Sequence, residues 1–113
     1  MHELSIAINI VDIARKETEK AGATKVTELN IDVGSLSGVV VEALEFAMEV
    51  AVRDSVLEQA RVTIHPIQAQ ARCRSCSEEF QVSDYFEICP KCHSPDLQIL
   101  QGQELKVRNL KVI

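Results

Sequence analysis

Two Cys-x-x-Cys pairs, Cys73-Arg-Ser-Cys76 and Cys89-Pro-Lys-Cys92, stand twelve residues apart in a chain of 113. Two residues between thiols form a tight knuckle. A pair of knuckles brings four sulfurs to the zinc–sulfur distance of about 2.3 Å in a tetrahedron with no vacant position, which makes the site structural rather than catalytic. The stretch from Cys73 to Asp96 also holds two of the three prolines and no long aliphatic run. It has too few apolar residues to bury a core, so metal binding, at roughly 10–16 kcal/mol in small zinc modules, has to supply its stability. Arg72, Arg74 and Lys91 flank the thiols and are expected to offset part of the excess thiolate charge. The competing readings are a pair of disulfides and a dithiol redox couple, for which Cys89-Pro-Lys-Cys92 is suggestive. A redox pair usually opens a helix after a buried strand, whereas here the pairs are doubled in a loop-rich segment, and the spacing favours zinc.

The surrounding sequence has the periodicity of ordinary secondary structure. Leu4, Ala7, Ile8, Val11 and Ala14 form one helical stripe with Ile6, Ile10 and Ile13 beside it, and Lys20 and Gly22 supply a stop. Leu29, Ile31 and Val33 alternate with Asn30 and Asp32 as a strand with one wet face, followed by a turn at Gly34 to Gly38. Val40, Leu44, Ala47, Met48 and Ala51 recur at helical spacing, with Glu42, Glu45 and Glu49 outward and Glu49 four residues before Arg53. Val62 and Ile64 mark another strand, whose phase shifts after Pro66 to Ile67, Ala69 and Ala71; the proline predicts a bulge or a sheet edge. Leu105 and Val107 alternate with charged residues in a last strand. The expected fold is therefore α+β: two helices on a small three-stranded sheet with an inserted four-cysteine zinc-ribbon lobe. Residues 1–70 and 100–113 form the α+β domain, and residues 71–99 the zinc-binding lobe.

Charge and composition exclude several functions. The net charge is −5, and residues 73 to 96 hold two basic against five acidic side chains, the wrong sign for a nucleic-acid-binding zinc ribbon. Aromatics are 4% with no Trp, so the core has to be aliphatic and a base-stacking surface has few rings to use. No apolar run approaches the roughly 18 residues of a membrane span. Glu3 stands where a signal peptide carries Lys or Arg, and Asp12 interrupts the first apolar stretch, so a cytoplasmic protein with reduced thiols is expected. No nucleophile with its base, carboxylate dyad or phosphate-binding Gly loop stands out, so no catalytic residue is assigned.

Met1, His2 and Glu3 open the sequence. A frayed polar start, with Glu3 at the positive end of the first helix, is the plain reading. The alternative is chemical: an α-amine at Met1, the backbone nitrogen of His2 and its imidazole can form fused chelate rings, three nitrogens in a plane that suit Ni(II) or Cu(II). A fourth ligand would come from Glu3 or from a partner.

Met1-His2-Glu3-Leu4-Ser5, Val33-Gly34-Ser35-Leu36-Ser37-Gly38, Glu42-Ala43-Leu44-Glu45-Phe46-Ala47, the paired cysteines and Gly102-Gln103-Glu104-Leu105 together closely resemble the HypA/HybF family of hydrogenase maturation factors, over essentially the whole chain. The resemblance implies a nickel metallochaperone, not an enzyme, that helps insert Ni(II) into [NiFe] hydrogenase. Its implied partners are a HypB-type GTPase and the hydrogenase large-subunit precursor. His2 is carried over as a nickel ligand and Glu3 as a ligand or orienting residue, with Cys73, Cys76, Cys89 and Cys92 as structural zinc ligands. Some members add an Asp near the second helix, where this chain has Val40. His93 is expected to make a knuckle hydrogen bond, with a pH-dependent influence on the zinc site as the alternative; His65 is expected to be solvated. The sequence leaves both a monomer and a homodimer open. The rival readings are a zinc-ribbon module that binds protein or nucleic acid and a dithiol oxidoreductase.

Overall fold

Alternation along β1 (Val26–Gly34) sets the centre of the molecule. Leu29, Ile31 and Val33 point into the core, while Glu28, Asn30 and Asp32 occupy the opposite face. In the computed structural model, which describes residues 2–113, β1 is flanked by β2 (Arg61–Ile67) on one side and β6 (Leu105–Val112) on the other. β2 runs parallel to β1, with Ile31 opposite Ile64, and β6 runs antiparallel, with Ile31 opposite Val107. Parallel pairing of consecutive strands requires a crossover. α2 (Val41–Ala51) supplies it.

α1 (Glu3–Lys20) and α2 cover the apolar face of this sheet. The core contains Ala7, Ile10 and Ala14 of α1, Leu44, Ala47 and Met48 of α2, the β1 residues and Leu57. As expected from composition, none of its buried members is aromatic; Phe46, Tyr85 and Phe86 are all exposed. The α1 stripe differs from the sequence reading. The inward line is Glu3, Ala7, Ile10, Ala14 and Thr18, whereas Leu4 and Ile8 are more than half exposed. The small residues on this line allow close packing, and Thr18 is satisfied by its hydroxyl donating to the Ala14 carbonyl at 2.7 Å. Gly22, at φ 66°, closes the helix, with the Ala23 N–H donating to the Thr18 carbonyl. On the polar face of the sheet, Arg108 pairs with the buried Asp32 at 2.8 Å. Asn30 bridges His65 and Asn109, each at 2.8 Å, so His65 is part of a cross-strand polar row and not merely solvated.

A second sheet, in the order β4-β3-β5, is built from β3 (Gln70–Cys73), β4 (Glu79–Gln81) and β5 (Leu97–Gln101). It takes in Gln70, Leu100 and Gln101 on either side of the 71–99 division. Its small apolar cluster is Ala69, Ala71 and Val82, supported by Leu36, Phe80, Leu97 and Ile99, with Cys73 and Cys89 buried beside it. Leu36 comes from the β1–α2 connection, so that connection reaches across from one sheet to plug the other. There the backbones touch: Leu36 N–H donates to the Gly102 carbonyl at 2.7 Å, and Ser35 N–H to Ile67 at 2.9 Å. The Ser35 hydroxyl accepts from Ala69 N–H at 3.0 Å. A Cβ on Gly34 would overlap the Gly102 backbone, and one on Gly102 would overlap Ala69.

Gly34→Ala should therefore lower the unfolding free energy by about 1–3 kcal/mol, the usual cost of overpacking. Gly22→Ala meets open space and should cost only the left-handed backbone penalty of about 1 kcal/mol. Urea unfolding of the two variants checks the order.

Candidate metal centre and amino terminus

The two Cys-x-x-Cys turns are built alike. Ser77 N–H donates to the Cys73 carbonyl at 2.8 Å, and His93 N–H to the Cys89 carbonyl at 2.9 Å. Cys73 N–H then reaches the Glu78 carbonyl, and Cys89 N–H the Ser94 carbonyl, at 2.8 and 2.9 Å. The residue after each second cysteine is left-handed, with Ser77 at φ 67° and His93 at φ 65°. The knuckle hydrogen bond expected of His93 is thus made by its backbone, and its side chain is exposed. Lys91 and Cys92 N–H groups both point at the Cys89 sulfur, each at 3.4 Å.

These turns bring the four sulfurs within 4.8 Å of one another. Cys73 Sγ is 3.5 Å from Cys92 Sγ, and Cys76 Sγ is 3.6 Å from Cys89 Sγ. All four are free thiols, which removes the disulfide reading. Sulfurs held at 2.3 Å from a central ion sit about 3.8 Å apart in a regular tetrahedron. The observed spacings match that geometry. Thiols this close also cannot titrate independently. Burial alone would raise Cys73, but the N–H groups of Cys76 and Ser75 and the sulfurs of Cys92 and Cys76 outweigh it and hold that thiol at about 6. Glu78 N–H favours the thiolate of Cys76, yet burial and the other three sulfurs prevail and push it up to about 12. Crowded sulfurs retain shared protons, and a divalent cation can replace them.

The expected charge offset takes a different form. Arg72 pairs with Glu79 at 2.7 Å and Arg74 with Asp96 at 3.3 Å, so both guanidinium groups are engaged by carboxylates and not committed to the sulfurs.

At the opposite end of the β1–α2 connection, His2 is exposed and directly precedes α1, its carbonyl accepting from Ile6 N–H at 3.0 Å. Glu3 is only 8% exposed. Its carboxylate accepts from Val40 N–H at 3.4 Å. Glu3 lies in the first turn of α1 and Val40 is the N-cap of α2, so one carboxylate serves the positive ends of two helices. Hydrogen bonding to its own backbone N–H, then to that of Val40, holds Glu3 below the usual carboxylate range despite the opposing effect of burial. The Val40 side chain is exposed and contributes no ligand. Among the described residues, no third imidazole, thiol or carboxylate joins His2 and Glu3 in a metal-sized group. The Met1 α-amine, the remaining expected ligand, lies outside the described residues. The Glu3–Val40 contact could not be read from sequence, because Val40 acts through its backbone.

The family model described as hydrogenase/urease nickel incorporation, metallochaperone, HypA, matches residues 1–112. The chain belongs to the HypA family. The hydrogenase maturation factor HypA of Geotalea uraniireducens is 43% identical over 112 residues, covering 99% of both chains. HybF of Klebsiella pneumoniae is 38% identical over 98% of both. The solution structure of the Ni metallochaperone HypA from Helicobacter pylori superimposes with a TM-score of 0.71 at 25% identity, covering all of this chain and 98% of that one. A HypA-family chain therefore carries the four-cysteine cluster, and no helix among its described residues is long and apolar enough to cross a membrane.

The Glu3 contact has a pH signature. A carboxyl whose folded pKa is depressed adds stability above its unfolded value, about 4.3, and loses it as pH falls through the folded value. Val40 and the first turn of α1 should loosen below about pH 4, earlier than the β1 core, in an amide NMR titration; Glu3→Gln should make those amides insensitive to that step.

Proposed function

We propose that this HypA-family chain is a nickel metallochaperone for [NiFe] hydrogenase maturation, with Zn(II) held permanently by Cys73, Cys76, Cys89 and Cys92. The observation that carries the reading is the contrast between its two ends. Four sulfurs converge in a closed set, while His2 is exposed ahead of a helix whose first carboxylate is already anchored. A closed thiolate cage suits a resident ion, and soft sulfur ligands suit zinc. An open imidazole suits cargo, because its bonds can be exchanged one at a time.

In this reading His2 supplies backbone and imidazole nitrogens, with the Met1 α-amine completing fused rings around Ni(II). Glu3 orients the terminus through Val40, and a change in its contacts would let it reach the ion. The chain itself performs no catalysis. Energy coupling comes from a HypB-type GTPase, the acceptor is the hydrogenase large-subunit precursor, and the exchange takes place in the cytoplasm.

Nickel loading by nitrogen ligands has to displace protons, so affinity should fall as the pH is lowered. In calorimetric titrations at neutral pH, His2→Ala and a form extended by one residue before Met1 should each bind nickel at least tenfold more weakly than the native chain; equal binding by all three would refute the ligand set. Stripping zinc with a chelator should erase the amide NMR dispersion of residues 70–101 and leave the β1 core signals in place. Dithiol reductase activity with zinc bound would favour the oxidoreductase reading instead.

A further inference from the structure

β2 is the outermost strand of the main sheet and pairs only with β1. Ser35 N–H donates to the Ile67 carbonyl, so Ile67 turns its backbone polar groups toward β1. Residues of a parallel strand alternate in this respect. Arg61, Thr63 and His65 therefore share the inward set, and Val62, Ile64 and Pro66 face the open side. Pro66, which lacks a donor, sits where none is needed. By this alternation the N–H and C=O groups of Val62 and Ile64 point away from β1, and no backbone hydrogen bond from outside the β1–β2 ladder reaches them among the described residues.

A cleft of about 380 Å³ lies along this edge, between Glu45, Met48 and Glu49 of α2 and residues 62–64 of β2. Both carboxylates are on the exposed face of α2 and neither forms an ion pair among the described residues, including with Arg53. Two residues one helical turn apart rise about 6 Å, close to the roughly 6.7 Å between alternate side chains of an extended strand. The opposite face of β2 carries Arg61 and His65, which disfavours positive charge on that side. A second copy of this chain would set the same carboxylates face to face.

We propose that the β2 edge receives an extended segment of a partner protein as a fourth strand, with Lys or Arg at every second position and uncharged residues between. Backbone pairing to Val62 and Ile64 supplies the affinity. Glu45 and Glu49 take the basic heads, while their aliphatic stems cover Met48, Val62 and Ile64. The inference is independent of the nickel reading.

The test uses the zinc-loaded full chain and an acetylated, amidated peptide, Thr-Lys-Val-Lys-Val-Lys-Thr, with amide NMR and fluorescence anisotropy. The peptide should shift the amides of Val62, Ile64, Glu45 and Glu49, and Glu45→Lys with Glu49→Lys should weaken it at least tenfold. Of two peptides N-methylated at the Lys positions or at the Val positions, one should lose binding at least tenfold and the other should not, because only alternate donors face β2. His2→Ala should leave peptide binding intact whether or not it abolishes nickel binding. No shifts at millimolar peptide, shifts confined to the cysteine lobe, equal effects of the two methylations, or a β2-mediated dimer in place of peptide binding would each overturn the proposal.

Discussion

The cysteine lobe has too little apolar surface to fold by burial, and the convergence of its sulfurs is what makes it a structure. Its buried cluster is limited to Ala69, Ala71 and Val82, with Leu36, Phe80, Leu97 and Ile99 only partly buried around it. Two matched knuckles aim four thiols at one point, so one ion can fix two chain segments that are otherwise joined only through short strands. The left-handed residues at Ser77 and His93 follow from the same demand, since each turn has to double back immediately after its second sulfur.

The β1–α2 connection links that lobe to the rest of the chain. Within a few residues it places Ser35 and Leu36 against the second sheet and Val40 against Glu3. The four-cysteine lobe and the first turn of α1 are thus attached to opposite ends of one short stretch, held largely by backbone hydrogen bonds. The proposed division between a resident-ion site and a cargo site would rest on this arrangement, with the four cysteines and His2 lying at different ends of it.

Much of this was legible in the sequence. Two helices, a three-stranded sheet and an inserted four-cysteine lobe follow from periodicity and spacing, and Pro66 correctly marked a sheet edge. The α1 face was harder to read: Leu4 and Ile8 are apolar yet exposed, while Glu3 and Thr18 are polar yet buried, Thr18 satisfied by the Ala14 carbonyl one turn back and Glu3 by the Val40 N–H across the fold. The lobe's own sheet, with strands of three to five residues, is too short for alternation to stand out. His65 and Asn30 pair across strands, and Glu3 and Val40 across the fold; single-chain periodicity carries no signal for either contact.

The approach of Gly34, Gly102 and Ala69 has a mechanical consequence. Where main chain lies directly on main chain, no rotamer change is available to relax the joint, and bending it would break several hydrogen bonds at once. The molecule, 54 × 26 × 17 Å in extent, should therefore tumble in water as one rod with a single rotational diffusion tensor, and a torque applied at either tip would be transmitted to the other.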